Sequence, residues 1–427
     1  MIKILNSKIK NFGFLFDKLL LKRKNKIKFN SNIVKKILND IKNDGDRALL
    51  KYEKKLGKNS IIVSNPKKVR KQIDALDLKV KKSLDLAYSR IFEFHSKQKV
   101  RNIFYKDKLQ NRLSYKFIPI ESIGIYVPGG TASYPSTVLM NAIPAIIAGV
   151  KRIVMVNPNN NNEQNSGVLY AAKKCGIKEI YSIGGAQAIA ALAYGTNKIK
   201  KVNKIVGPGN LYVAEAKKKV FGDVGIDMIA GPSEITVVGD KFSNPDWIAS
   251  DLIAQAEHDQ LSQSILISKD QNLILKVKVS LTKQLKNLPR KLIAQKSLND
   301  NGILIHISSD KKLIEIINKI APEHLVLNIK DYKNILSKVN NAGSIFLGKY
   351  STEAVGDYLA GSNHVLPTLG TAKFSSGLSV NDFYKRVSYI KLSKNGIETL
   401  GPSVITLANY EGLEGHAKSV KLRIRRK

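Results

Sequence analysis

Ile123-Gly124-Ile125-Tyr126-Val127-Pro128-Gly129-Gly130 decides the fold: a β-branched run that stops at a proline–glycine turn and leads into Ser136-Thr137-Val138-Leu139-Met140. The same order of strand and turn returns downstream. Arg152-Ile153-Val154-Met155-Val156 stops at Asn157-Pro158. Ile180-Tyr181-Ser182-Ile183 meets Gly184-Gly185-Ala186-Gln187 and a small-residue helix, Ala188 to Tyr194. Lys204-Ile205-Val206 meets Gly207-Pro208-Gly209-Asn210 and a helix from about Tyr212. Repeated strand–turn–helix units of this kind predict a parallel sheet with helices on both faces.

A second alternating unit follows. Ile235-Thr236-Val237-Val238 comes after Gly231-Pro232-Ser233-Glu234, and a helix is expected from Pro245 to His258. Then come Ser264-Ile265-Leu266-Ile267, a long lysine-rich amphipathic helix, Gly302-Ile303-Leu304-Ile305, another helix and Ser344-Ile345-Phe346-Leu347. Upstream, residues 31–56 read as two helices broken at Asn43-Asp44-Gly45-Asp46, and residues 66–100 are again helical. The tail beyond about 380 has a Tyr/Ile-rich segment and two short helical patterns, too little for a core of its own. The expected fold is α/β with two Rossmann-like parallel-sheet domains. Residues 125–239 form one, residues 31–124 with 240–380 form the other, and 1–30 and 381–427 are small terminal extensions expected to pack in a dimer.

Composition bounds the function. With 427 residues, 43% of them hydrophobic and 25% charged, the chain can bury substantial cores. No stretch approaches the roughly 18 apolar residues of a membrane span, so no membrane partner is expected. Phe12-Gly13-Phe14-Leu15-Phe16 is broken by Asp17 and Lys18 and leads into a basic run, not a cleavage site, so it belongs to the mature protein. The lone Cys175 excludes an intramolecular disulfide and fits a reducing cytoplasm. The formal charge of +37 predicts attraction to polyanions. Yet the lysines are spread along the whole chain, as biased composition would leave them. No aromatic-interleaved basic stripe, zinc finger or recognition helix occurs, which argues against a specific nucleic-acid partner. Only the basic tail, Lys418 to Lys427, leaves that role open.

Four of the six histidines stand beside carboxylates or an amide: Gln255-Ala-Glu-His258, Pro322-Glu323-His324, Asp357 with His364, and Glu411 with His416. Histidine is the commonest metal ligand and the usual base near neutral pH. Gln255 and His258, three apart on an expected helix, share a face and could take one metal together; a polar helix face is the competing explanation. With Asp357 and His416 the donors are mixed N and O without thiolate, which suits Zn²⁺, with Mn²⁺ or Co²⁺ as substitutes. Glu323 and His324 either face one cavity from a turn after Pro322 or are a capping Glu beside an exposed His. His95 and His306 read as ordinary satisfied polar groups. The glycine turns suit phosphate, but none matches G-x-G-x-x-G, so the usual dinucleotide fingerprint is missing. On residues alone, the chain reads as a metal-dependent α/β enzyme that uses a nucleotide.

These segments together resemble the histidinol dehydrogenase family. The resemblance runs from about residue 32 to 416. It includes Ile125 to Gly130, Ser136 to Met140, Gly184 to Gln187, Val206 to Asn210, Ala230 to Glu234, Gln255 to Asp259, Ala321 to Leu325, Gly361 to Thr368 and Ser376 to Val380. It implies oxidation of L-histidinol to L-histidinal and then to L-histidine, with reduction of two NAD⁺. It implies that Gln255, His258, Asp357 and His416 hold one zinc ion per subunit, the last donated across a homodimer built on the C-terminal segment. Glu323 and His324 take the catalytic roles. His324 is the base in both oxidations, and Glu323 activates the water that hydrates the aldehyde. Substrate contacts fall on Ser233, His364 and Glu411 together with Gln255, His258, His324, Asp357 and His416. Tyr126, Gln187 and Asn210 fall against NAD, on the side of residues 125–239. The alternatives are a related NAD-dependent amino-alcohol dehydrogenase with a different substrate, and a basic polyanion-binding protein without catalysis.

Overall fold

The computed structural model describes residues 2–25, 31–57, 63, 65–129, 133–158 and 164–424. Gly130 of the first glycine turn and residues 425–427 of the basic tail lie outside the described residues.

The β-branched runs form two parallel sheets. β4 (Ser122–Tyr126), β5 (Arg152–Val156), β6 (Glu179–Tyr181), β7 (Lys204–Val206) and β8 (Gly225–Ile226) make a five-stranded sheet in the order β6-β5-β4-β7-β8. β1 (Lys3–Asn6), β9 (Glu234–Gly239), β10 (Gln263–Ser268), β11 (Ile303–His306), β12 (His324–Asn328) and β13 (Ser344–Leu347) make a six-stranded sheet in the order β1-β11-β10-β9-β12-β13. Every residue of β4, β9, β10 and β12 is buried. Strands covered by helices on both faces show no polar alternation, which is why they read as unbroken apolar runs. The strand order reverses between β4 and β7 in the smaller sheet and between β9 and β12 in the larger, so each sheet carries a switch point.

Three features differ from the sequence reading. β2 (Ile103–Lys106), β3 (Arg112–Pro119) and β14 (Tyr384–Lys391) form a small antiparallel sheet, β14-β3-β2, that joins the C-terminal segment to the middle of the chain. Within the N-terminal extension, β1 pairs in parallel with β11, and Phe12 and Phe16 enter the core beneath the larger sheet. The helices Ser31–Tyr52 and Leu78–Ser96, expected beside residues 240–380, pack instead on the helices that flank the five-stranded sheet. Val34, Ile37, Ile41 and Leu49 meet Tyr126, Val154 and Ile189, and Leu84 and Ile91 meet Ile123 and Leu139. Their apolar stripes turn inward, the first onto Gly185–Tyr194 and Leu211–Val220 and the second onto Pro135–Ala148 and Ser166–Lys174.

The expected break near Gly45 is present: the residue is non-helical, at φ 52° and ψ −125°, and parts two helical stretches within Ser31–Tyr52. The long lysine-rich helix is two, Gln271–Leu285 and Lys291–Asp300, interrupted at Pro289, whose ring cannot continue a helix. Cys175 is buried, and burial pushes its thiol up to about 12. No helix among the described residues is long and apolar enough to cross a membrane.

Gly207 shows how tightly the switch point of the smaller sheet is built. Its φ is +109°, and a Cβ there would lie 2.2 Å from the Tyr126 carbonyl oxygen. Its N–H donates to Asp227 Oδ2 at 2.8 Å, and its carbonyl accepts from Lys217 Nζ at 3.0 Å. Lys217 and Asp227 themselves form a buried ion pair. Gly207→Ala combines a forbidden backbone region with a main-chain collision, so it should cost at least about 2 kcal/mol. Urea unfolding of both proteins checks this; equal midpoints would show that the turn relaxes freely.

Candidate active site

A cleft of about 810 Å³ lies between the two sheets. Pro128, Gly129 and the Pro208–Tyr212 segment line one wall, at the carboxyl ends of β4 and β7. Ser233, Glu323 and His324 line the other, at the amino ends of β9 and β12. The helices Pro245–Ala256 and Glu353–Tyr358 bring Gln255, Glu353 and Asp357 to the same space. Asn244 and Thr352 cap them, each accepting main-chain N–H bonds of the first turn.

His324 opens β12, between β9 and β13. The chain enters through Ala321, a non-glycine residue in the left-handed region at φ 47°. Glu323 and His324 then grip the two main-chain groups of one residue across the sheet. Glu234 N–H donates to Glu323 Oε2 at 2.8 Å, and His324 Nδ1 donates to the Glu234 carbonyl at 3.0 Å. A carbonyl can only accept, so Nδ1 carries the proton and Nε2 presents a lone pair. Nε2 has no hydrogen-bond partner and lies 3.7 Å from Asp357 Oδ1. Of the two readings left open by the sequence, the shared cavity is the one found. Both side chains are buried and both line the cleft.

Carboxylates crowd the ring. Glu353 Oε1 is 3.5 Å and Glu323 Oε2 is 3.7 Å from Nδ1. Burial pushes Glu323 and Glu353 well above the usual carboxylate range, and neighbouring negative charge adds to it. Asp357 is pushed up to about 7 by burial. The same burial drives His324 down to about 3, against the opposing hydrogen bond to Glu234, so the imidazole is neutral at physiological pH. His364 is also held down by burial, to about 4, and its Nδ1 donates to the Asp357 carbonyl at 3.0 Å.

Buried carboxylates that share a dry space call for a cation. Ligand atoms of His324, Glu353 and Asp357 lie within 4.8 Å of one another. Gln255 is fully buried beside them. Hydrogen-bond logic sets its amide nitrogen 2.9 Å from Glu353 Oε1 and 3.2 Å from the Glu234 carbonyl, which turns its oxygen the other way. Its helix ends at Ala256, so His258 sits just beyond it, exposed at the cleft wall. Nitrogen and oxygen donors without thiolate fit a zinc ion.

The remaining residues singled out by sequence divide. Asn210 lines the cleft and also caps the helix Leu211–Val220 through Tyr212 and Val213. Tyr126 and Gln187 are buried behind it and do not line the cleft. Tyr126 Oη accepts from Gly185 N–H at 3.0 Å, and Gln187 Nε2 donates to Glu53 Oε1 at 2.8 Å. Glu411 and His416 are exposed on the C-terminal helices and lie outside the cleft of this single chain. His95 is buried, its Nδ1 3.0 Å from the Ile91 carbonyl, and His306 Nε2 is 3.1 Å from the Lys269 carbonyl. Sequence reading missed Glu234 and Glu353 as parts of the site, and Glu53 as the buried partner of Gln187. Only Glu353 left a signal, its spacing of four from Asp357 on one helix face.

The family model described as histidinol dehydrogenase matches residues 21–424. The chain is 68% identical to the histidinol dehydrogenase of Pelagibacter ubique (strain HTCC1062), over all of both chains. It is 49% identical to that of Agrobacterium fabrum (strain C58 / ATCC 33970), over 92% of this chain and 91% of the relative. A crystal structure of histidinol dehydrogenase from Elizabethkingia anophelis superimposes with a TM-score of 0.91 at 38% identity, covering 99% of this chain and 98% of the other.

Cation uptake by this cluster should be linked to protons. Asp357 stands at about 7 in the cation-free chain, so below that pH a metal must displace its proton. Zn²⁺ affinity should therefore rise roughly tenfold per pH unit towards pH 7 and flatten above it. Calorimetry at pH 6 in two buffers of different ionisation heat counts the protons released. An affinity independent of pH, with none released, would remove Asp357 from the ligand set.

Proposed function

We propose a chemistry for this cleft from a plain premise: the chain belongs to the histidinol dehydrogenase family. The reaction is the oxidation of L-histidinol to L-histidinal and of L-histidinal to L-histidine, the closing steps of L-histidine biosynthesis. NAD⁺ accepts the hydride in each oxidation. The observation that carries this reading is the buried His324, with Nδ1 tied to a carbonyl and Nε2 unpartnered in a carboxylate-lined cleft.

His324 Nε2 takes the hydroxyl proton of the alcohol in the first oxidation and of the aldehyde hydrate in the second. Its imidazolium is then stabilised by Glu353, Glu323 and Asp357, which stand 3.5–3.7 Å from its ring nitrogens. Glu323, anchored by the Glu234 N–H, takes the proton from the water that adds to the aldehyde carbon. Five carboxylates line the cleft against one arginine and one lysine, which favours a cationic amino alcohol over an acidic substrate. Ser233 and His364 stand where they can orient that substrate.

Gln255, His258 and Asp357, with His416 from a second copy of the chain, would hold zinc. When bound, one ion per subunit fixes the imidazole and amino nitrogens of histidinol. The dimer is supported by the exposure of the C-terminal helices, where Leu407 is 62% and Tyr410 is 90% accessible in one chain. Asn210, backed by Tyr126 and Gln187, belongs to the nucleotide wall. A reducing cytoplasm suits the single buried thiol.

Purified enzyme loaded with zinc should yield two NADH per L-histidinol, lose this with a chelator and regain it with zinc. A folded, zinc-loaded dimer that yields no NADH would sink the reading. His324→Asn should lower both oxidations by roughly 10²–10⁴. Glu323→Gln should spare the first hydride transfer more than the second in single-turnover measurements; equal losses would undo the division of roles. His416→Asn should purify with depleted zinc, and full metal content in that variant would exclude it as a ligand.

A further inference from the structure

The basic run at Lys22 to Lys26 contains a side chain that is not on the surface, that of Arg23. Arg23, on the helix Phe12–Asn25, is 6% accessible. Its Nε lies 3.3 Å from Glu234 Oε1, and its Nη1 lies 3.4 Å from Glu234 Oε2 and 3.4 Å from Gln263 Oε1. Its Nη2 donates to the Ile320 carbonyl at 3.1 Å.

These partners border the site on two sides. Ile320 ends the helix Asp310–Ile320 and immediately precedes Ala321, whose left-handed turn delivers Glu323 and His324. Glu234 Oε1 also accepts from the N–H of Leu369, a second non-glycine residue in the left-handed region, at φ 56°. At Gly370 a Cβ would come within 3.1 Å of Arg23 Nη2. Two strained turns and one buried carboxylate thus meet on a single guanidinium, and strain of this kind persists only where the surroundings hold it. The main chain of that carboxylate's residue is the rail on which Glu323 and His324 hang.

We propose that Arg23 is a positioning residue: by clamping the Glu234 carboxylate and the Ile320 carbonyl, it holds Glu323 and His324 in register with the substrate. This rests on the roles given to Glu323 and His324 in the preceding reading. Arg23 does not line the cleft. A lysine has one charged nitrogen and no planar fork, so it cannot reach Glu234, Gln263 and Ile320 together. Without Arg23, the Glu234 carboxylate would be left in a dry site without its counter-charge, and the rail would shift to relieve it.

The test compares wild type, Arg23→Met, Arg23→Lys and the double variant Arg23→Met/Glu234→Gln, all loaded with zinc. L-histidinol and L-histidinal are assayed separately with NAD⁺, alongside zinc content and thermal unfolding. Arg23→Met should lower kcat for both substrates by at least about tenfold while KM and zinc content stay near wild type, because a small displacement of the base penalises the reaction more than binding. Arg23→Lys should recover little. The double variant should regain most of the loss, because removing both charges leaves no buried carboxylate to compensate. Arg23→Met with kcat within about twofold of wild type would overturn the proposal. So would a loss that follows the folded fraction and is not recovered in the double variant. Folded, zinc-loaded wild type that oxidises neither substrate would overturn the underlying reading and the proposal with it, whereas active wild type with an indifferent Arg23→Met overturns the proposal alone.

Discussion

The site depends on the two main-chain groups of Glu234, one donor and one acceptor, at the amino end of β9. Glu323 takes the donor and His324 takes the acceptor. Because both bonds go to one residue in a parallel ladder, register alone decides the tautomer of the imidazole and the direction of the carboxylate. A side-chain partner could rotate away; the main chain of a buried strand, fixed by its ladder, cannot. The arrangement also explains how sequence neighbours face one cavity. They are the last residue of a turn and the first residue of a strand, so the alternation of a regular strand does not yet separate them.

Electrostatically the cleft is the inverse of the chain that surrounds it. The sequence carries 71 Lys and Arg against 34 Asp and Glu, yet carboxylates dominate the cleft. The surface excess is spread along the chain, and water screens it within about 10 Å at ordinary ionic strength. Glu323 and Glu353 are buried in the cleft with Asp357 half-buried beside them, and the repulsion among these three is not screened away. Local burial, not net charge, therefore decides what the site attracts, and a formal charge of +37 is compatible with recognition of a cation.

How much of this was legible in the residues follows the same line between local and distant. Runs such as Ile235–Val238 and Ile265–Ile267 announce themselves because both faces are apolar. β2 is exposed along its length, and β14 is largely exposed, so apolar runs do not mark them; their pairing with β3 spans distances that no window of sequence covers. Glu323 and His324 could be singled out because their types are rare and adjacent. Glu53, Glu234 and Arg23 could not, since a lone charged residue reads as surface until its burial is known. Glu411 and His416 were singled out by residue type, yet one chain does not bring them to the cleft.

One feature fixes an order of events. β1 is the first strand to be made, but its partner in the sheet is β11, in the register Lys3 with Ile303. The five strands of the smaller sheet lie between residues 122 and 226 and need nothing from beyond residue 226 to pair with one another. A ribosome extending this chain can therefore complete the smaller sheet while the amino terminus, already outside, still waits unpaired. The larger sheet closes its edge only after Ile303–His306 has emerged, and closing so long a loop makes this a late event. Until then an apolar strand edge stands open in the nascent protein, where a chaperone or a neighbouring chain would find it.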